Sequence, residues 1–193
     1  KITVMEDLTS APYDMELFAH NLPDRGPNEA YAANLGRAVA LISDLIAKND
    51  LKFKSTEGTF EQFEERGRGA LFTFHNNQVD YKKFLNFNLE ENNPLVLTDV
   101  HPKNLFFSKD GSVSVIDFGR TVHGDPQFTV PNFLSHIFLV AAIGLVDIDS
   151  AFKFIDSFIK AYTDTSSLKI DEERFCFYVG VEILGRACGR WVN

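Results

Sequence analysis

The segment LTDVHPKNLFFSKDGSVSVIDFG, residues 97–119, restricts the fold of this chain more than any other part of the sequence. Three short apolar runs in and beside it predict β-strands at residues 95–98, 105–108 and 112–116. The Asp110-Gly111 step between the last two runs is typical of a tight hairpin turn. A hairpin holds its two arms side by side, so Asn104, before the first arm, is expected beside Asp117, after the second.

The rest of the chain is predicted to be mainly helical, so the fold class is α+β with a small β-element. Apolar residues recur at helical spacing in residues 35–46, with Asn28 as the expected N-cap. Further helices are predicted at residues 133–146, 151–162 and 171–191, and one or two amphipathic helices within residues 51–93. Phe152 is expected on the apolar face of its helix, and Arg186 is expected to face solvent.

Composition limits the classes of function. With 193 residues and 45% hydrophobic content, the chain can bury one core, and one domain is expected. A net charge of −8 argues against a nucleic-acid-binding domain. The most apolar run, residues 133–146, is too short to span a bilayer, so no membrane partner is expected. Cys176 and Cys188 lie roughly 18 Å apart in one predicted helix, too far for a disulfide, which fits a cytoplasmic location.

Three oxygen-bearing side chains in the segment fit phosphoryl transfer. Mg²⁺ prefers oxygen ligands from one or two side chains, and Asn104 and Asp117 are candidates for that role. The attacking hydroxyl needs a carboxylate that orients it and accepts its proton, and Asp99 is the candidate. Taken singly, the two aspartates are more often turn or cap residues. A zinc site that includes His101 would need further ligands at suitable spacing, and none is evident.

Three motifs extend this interpretation: Asp99-Val100-His101-Pro102-Lys103-Asn104, Ile116-Asp117-Phe118-Gly119 and Gly124-Asp125-Pro126. In this order they resemble the catalytic segment of the aminoglycoside phosphotransferase and choline kinase family, whose fold is related to protein kinases. The resemblance implies the C-terminal lobe of a protein-kinase-like fold whose small β-hairpin carries the metal site, with ATP and Mg²⁺ as cofactors. It implies that Asp99 is the catalytic base or hydroxyl orienter and that Asn104 and Asp117 bind Mg²⁺. His101 is a candidate phosphate contact, and a structural hydrogen-bond role beside Pro102 is an equal alternative. The partner implied is a small-molecule hydroxyl acceptor that is aminoglycoside-, choline- or sugar-like.

The resemblance also implies a nucleotide site and a layout for the single domain, residues 1–193. ITVMEDL, residues 2–8, is similar to the hinge strand between two lobes. The residues implied to contact the nucleotide are Met5, Glu6, Asp7, Leu8, Phe106 and Ile116. Residues 1–8 are then the hinge strand, 9–93 a helical part with inserted helices, 94–119 the catalytic and metal-binding loops, and 120–193 the C-terminal helices. The N-terminal lobe is absent from this chain and is expected in cis from a longer one, so the isolated fragment is expected to be inactive.

Departures from the family pattern keep an alternative function open. Leu97-Thr98 stand where the family has His-Gly, and Phe128-Thr129-Val130 lack the Asp that opens the next helix. A non-catalytic kinase-like binding or regulatory module is therefore the second hypothesis. A protein kinase is disfavoured because no A-P-E sequence follows the Asp-Phe-Gly.

Residues outside the three motifs have simpler expected roles. Asp125 is expected to cap its own turn, and Asp147 the helix that follows it. For Glu172, Glu173 and Glu182, a solvated helix face is favoured over an acidic substrate pocket.

Overall fold

A computed structural model of the chain describes residues 29–48, 94–107 and 112–188. The helices in these ranges are α1 (Glu29–Lys48), α2 (Thr129–Ala142), α3 (Ile148–Thr165) and α4 (Glu172–Cys188). The strands are β1 (Leu95–Leu97), β2 (Leu105–Phe107), β3 (Val113–Val115) and β4 (Thr121–His123). Single turns of 3-10 helix occupy Pro102–Asn104, Phe118–Arg120 and Pro126–Phe128. The mixture is mainly helical, as the sequence predicts.

The strands form two antiparallel pairs. β2 pairs with β3, with Leu105 opposite Val115, so the predicted pairing of the two arms is confirmed. β1 pairs with β4, with Leu97 opposite Thr121. Sequence reasoning missed β4 because Thr-Val-His is only three residues long, too short for its alternation of polar and apolar residues to distinguish it from a loop.

The helices described here agree with those expected, and their ends differ by a few residues. Asp147 accepts a hydrogen bond from the Ser150 backbone N–H (2.9 Å) and so caps α3, as predicted. The expectation for Phe152 is wrong, since its side chain is 49% exposed. The apolar stripe of α3 instead runs through Phe154 and Phe158, four residues apart and both buried.

The core is built around β1, whose side chains alternate between two apolar clusters. Leu95 and Leu97 point into the larger cluster, which is shared by α1, α2 and α3. Val96 packs on the other side with Phe128 and Tyr178. Since β1 is buried on both faces, the backbone that leads directly into Asp99 is fixed by the core.

Some predicted elements fall outside the described residues: the hinge strand at 1–8, the Asn28 cap, the helices within 51–93 and the turn at Asp110-Gly111. Among the helices that the structure does describe, none is long and apolar enough to cross a membrane. Cys176 is a free, exposed cysteine on α4.

Candidate active site

The loop that follows β1 is closed by hydrogen bonds among three residues. The His101 backbone N–H donates to the Asp99 carbonyl oxygen (2.9 Å), and the Asn104 N–H donates to the His101 carbonyl oxygen (2.8 Å). The Asn104 side chain also donates from Nδ2 to the Asp99 carbonyl oxygen (3.1 Å). Between them, Val100 is fully buried and anchors the loop to the core. Asp99 and Asn104 are therefore held in one compact turn, and both side chains are only partly buried.

The β2–β3 pair brings the end of this loop to the second motif. The Ile116 N–H donates to the Asn104 carbonyl oxygen (2.9 Å), which extends the ladder by one step beyond the strands. Asp117 directly follows Ile116, so its backbone lies close to Asn104. The structure thus brings these two predicted site residues together, as the hairpin argument expected.

Asp117 has an unusual backbone conformation, with φ 59° and ψ 73°. This left-handed region costs an L-residue about 1–2 kcal/mol, and aspartate is one of the few types found there. Its Oδ1 accepts a hydrogen bond from the Gly119 N–H (3.2 Å), and the residue is exposed. Strained residues of this kind cluster at functional sites. No sequence pattern signals this strain, because it arises from the turn between β3 and the following 3-10 helix.

The donor set of Asn104 and Asp117 fits Mg²⁺. Both offer oxygen, the ligand that hard divalent cations prefer. The hydrogen bond from Asn104 to Asp99 uses the amide nitrogen, and Oδ1 takes part in no hydrogen bond with the described residues. Among residues 29–48, 94–107 and 112–188, no group of three His, Cys, Asp or Glu side chains could hold a metal ion. A Mg²⁺ ion needs fewer, since it usually keeps several waters alongside one or two carboxylates and the substrate phosphates.

His101 lies with its ring against α2. The centroids of the His101 and His136 rings are 4.3 Å apart, and the ring planes meet at 77°, an edge-to-face arrangement. Both residues are partly buried. Sequence reasoning left a phosphate contact and a structural role equally open for His101. It did not foresee His136, since a histidine on an apolar helix gives no signal of what it faces.

A second contact joins α2 to the strand before Asp99. The Thr129 hydroxyl donates to the Leu97 carbonyl oxygen (2.9 Å), and both residues are buried. Thr129 stands in the stretch where the family pattern has an Asp. The missing Asp draws attention to this position in the sequence. The sequence does not show which group the Thr129 hydroxyl contacts.

Asp125 ties the turn after β4 to α4. Its Oδ1 accepts from the Gln127 N–H (3.0 Å), which confirms the predicted local cap. Its Oδ2 also accepts from the Tyr178 hydroxyl and from Arg174 Nη1, both at 2.9 Å. Burial raises the pKa of Tyr178 far above its usual range, and the Asp125 charge adds to the effect. The hydrogen bond and the charge of Asp125 raise the pKa of Arg174.

A buried polar cluster joins α2 to α4, and it corrects two expectations. Glu182 is only 6% exposed and its Oε2 accepts from Asn132 Nδ2 (3.0 Å) and Arg186 Nη2 (3.2 Å). Arg186 also donates from Nε to the Ser135 hydroxyl (2.9 Å). Neither Glu182 nor Arg186 faces solvent as predicted, because each satisfies the other inside the helix interface. Glu172 and Glu173 are exposed, as expected.

The residues assigned to the nucleotide are less fully described. Met5, Glu6, Asp7 and Leu8 lie outside the described residues, as does the Phe106 side chain. The Phe106 backbone lies in β2 opposite Ser114, and Ile116 is partly buried directly before Asp117.

Comparison with models of protein families gives a match. A family model described as "Phosphotransferase enzyme family" matches residues 4–141, well over half of the chain. The matched range includes Asp99, Asn104 and Asp117 and ends inside α2. No curated protein matches the chain.

Proposed function

The chain belongs to the phosphotransferase enzyme family, and we propose that it is the catalytic C-terminal lobe of an ATP-dependent kinase of a small hydroxylated molecule. One observation carries the proposal. The loop that holds Asp99 and the hairpin that ends at Asp117 meet at Asn104, which is hydrogen-bonded to Asp99 through its side chain and to Ile116 through its backbone. The backbones of the proposed base and of the two proposed metal ligands therefore lie close together, which supports a role in phosphoryl transfer.

The proposed roles follow from this arrangement. The acceptor hydroxyl oxygen forms a bond to the γ-phosphorus of ATP, the bond from that phosphorus to the β–γ bridging oxygen breaks, and ADP leaves with the electron pair. Asp99 orients the hydroxyl and accepts its proton as the new bond forms. Asn104 and Asp117 would hold Mg²⁺, which supplies charge neutralisation at the phosphates when bound. His101 is proposed to contact a phosphate.

The nucleotide and the acceptor complete the proposal. Residues 5–8 are proposed to meet the adenine, with Phe106 and Ile116 beneath it. An N-terminal lobe in a longer chain is proposed to cover the phosphates. The acceptor is aminoglycoside-, choline- or sugar-like, and the proposed location is the cytoplasm, where ATP is available.

The test uses a chain that carries its N-terminal lobe, a panel of hydroxylated acceptors and Mg·ATP. Asp99→Ala is expected to lower turnover by about a hundredfold or more, since general base catalysis contributes factors of this size. Asp117→Ala is expected to abolish the Mg²⁺ dependence of nucleotide binding, measured by calorimetry. The matched control is Asp149→Ala, which removes an exposed carboxylate from the first turn of α3 and should change neither quantity.

Two results would contradict these roles. Unchanged turnover in Asp99→Ala would remove Asp99 as the base. Nucleotide binding without turnover on any acceptor would favour the alternative, a non-catalytic kinase-like module, to which the departures at Leu97-Thr98 and Thr129 point.

A further inference from the structure

We propose that His136 is a positioning residue for the catalytic loop and acts by holding the ring of His101. This inference rests on the proposed function for its catalytic meaning, because it concerns the same loop. Its structural content is separate: the loop between Asp99 and Asn104 keeps its closed conformation through a ring contact from α2.

His101 is hydrogen-bonded through its backbone to both functional ends of the loop. Its backbone N–H donates to Asp99, and its carbonyl oxygen accepts from Asn104. A rotation of the His101 backbone therefore displaces the proposed base and a proposed metal ligand together. A side-chain contact that restrains His101 restrains both, and displacements well below 1 Å are enough to affect catalysis.

His136 is placed to supply that restraint. Its ring meets the His101 ring edge to face at a centroid distance of 4.3 Å. It stands on α2, whose neighbouring residues Ser135 and Ile137 are both fully buried, so the ring extends from a rigid element. The same helix holds the other side of the loop, because Thr129 donates to the Leu97 carbonyl oxygen. α2 therefore contacts the chain both before and after Asp99.

Amide hydrogen exchange, measured by NMR, tests the structural content directly. In His136→Ala, the His101 and Asn104 amides are expected to exchange about two- to tenfold faster, the effect of losing one aromatic pair. The Ser166 amide, which donates to the Tyr162 carbonyl oxygen at the far end of α3, serves as the reference and should not change. His136→Phe keeps an aromatic edge at this position and is expected to restore protection.

Turnover of the chain with its N-terminal lobe gives the catalytic reading. His136→Ala is expected to lower kcat by about tenfold with KM for the acceptor unchanged, because it disturbs the base and not the acceptor pocket. His136→Phe is expected to recover most of the loss. The matched control is Phe138→Ala, which removes a ring from the same helix where it packs on Phe152 (centroids 6.1 Å apart). That variant should lower the thermal midpoint and leave kcat unchanged.

The outcomes separate this inference from the proposed function. Unchanged exchange at His101 and Asn104 in His136→Ala would overturn it whatever the activity. Equal behaviour of His136→Phe and His136→Ala would also overturn it, because the ring contact would then not be what holds the loop. Faster exchange that His136→Phe reverses, in a protein that transfers no phosphoryl group, would support the positioning role while the proposed function fails.

Discussion

Thr129 Oγ1 lies 2.9 Å from the carbonyl oxygen of Leu97, and this hydrogen bond joins the first turn of α2 to the strand that precedes Asp99. Thr129 is 1% exposed and Leu97 2%, so water cannot replace the hydroxyl if it is removed. A buried polar group that loses its hydrogen-bond partner destabilises the folded protein by most of its desolvation free energy. This one contact is therefore important for the position of the strand.

Thr129→Val should therefore destabilise the protein. Valine keeps the shape of the side chain and removes the donor, and we expect the free energy of unfolding to fall by about 1–3 kcal/mol. Urea denaturation measures the change. The control is the same substitution at Thr163, whose exposed hydroxyl donates to the Ile159 and Lys160 carbonyl oxygens and should cost less than about 0.5 kcal/mol. Equal losses at the two sites would contradict the special role of the buried bond.

Features that depend on neighbouring residues could be predicted from the sequence better than features that depend on long-range contacts. Helical spacing and the two hairpin arms are properties of neighbouring residues, so α1 to α4 and the β2–β3 pair could be predicted. The partnership of Glu182 with Asn132 spans fifty positions in the sequence, and no periodicity shows that a glutamate on a polar-looking helix is buried against it. The candidate site residues were suggested by the spacing of three motifs. The strain at Asp117 and the contact from His136 depend on tertiary structure and were not visible.

Glu182 provides a test of the buried cluster between α2 and α4. Glu182→Ala removes the acceptor for Asn132 and Arg186 and takes the Glu182 carboxylate away from a guanidinium that is only 20% exposed. We expect a loss of about 3–5 kcal/mol in the free energy of unfolding. Removing an exposed partner instead, with Asp164→Ala in the Lys160–Asp164 pair, should cost less than about 1 kcal/mol.

A double substitution sharpens that experiment. Replacing the buried pair together, with Glu182→Leu and Arg186→Met, should recover part of the loss, because no unpaired charge then remains in the interface. If the double variant were less stable than Glu182→Ala, the uncompensated charge would not be the cause.

Gly36 determines how closely α1 and α3 pack. A Cβ at this position would overlap the Phe158 carbonyl oxygen and lie 3.1 Å from the Tyr162 backbone nitrogen, and backbone atoms cannot rotate away. Gly36→Ala should therefore destabilise by about 1–3 kcal/mol or more, measured by thermal or urea unfolding. At Gly180 on α4 a Cβ meets nothing within 4 Å, so Gly180→Ala should be neutral or stabilise by up to about 1 kcal/mol through helix propensity. Similar effects at both glycines would exclude the close approach as the reason.

Asp44 on α1 should make the free energy of unfolding depend on pH in the acid range. Burial raises its pKa, but hydrogen bonds from the Ser167 N–H (2.9 Å) and the Ser166 hydroxyl (2.8 Å), together with Lys48, lower it to about 2 from the ordinary 3.8. Because the folded-state pKa is depressed, this contribution is fully present above the unfolded pKa. It is lost as the pH falls from about 4 to 2, and it should amount to ~1–2 kcal/mol after allowance for solvent screening.

Comparison with Asp44→Asn isolates this group from the other carboxyls. The difference in unfolding free energy between the native protein and the variant should be constant at pH 5 to 7 and shrink below about pH 4. A difference that stayed constant down to pH 2 would mean that Asp44 is not the group that titrates.

Gly119 should control the position of the Asp117 carboxylate. A Cβ at this residue would lie 3.1 Å from Asp117 Oδ1, a distance at which one of the two must shift by a few tenths of an ångström. Asp117 is already in the left-handed region, so its backbone cannot easily accommodate the change, and the carboxylate must move.

Gly119→Ala should therefore raise the Mg²⁺ concentration needed for half-maximal turnover by about three- to tenfold, with little change in the thermal midpoint at this exposed site. Gly144→Ala is not a suitable control, because any side chain added at the Gly144 φ of +76° would strain the backbone, so Gly180→Ala serves instead. A changed Mg²⁺ requirement in Gly119→Ala alone would place Asp117 Oδ1 at the metal. An unchanged requirement would mean that the ion, if it binds at this turn, is held by another oxygen.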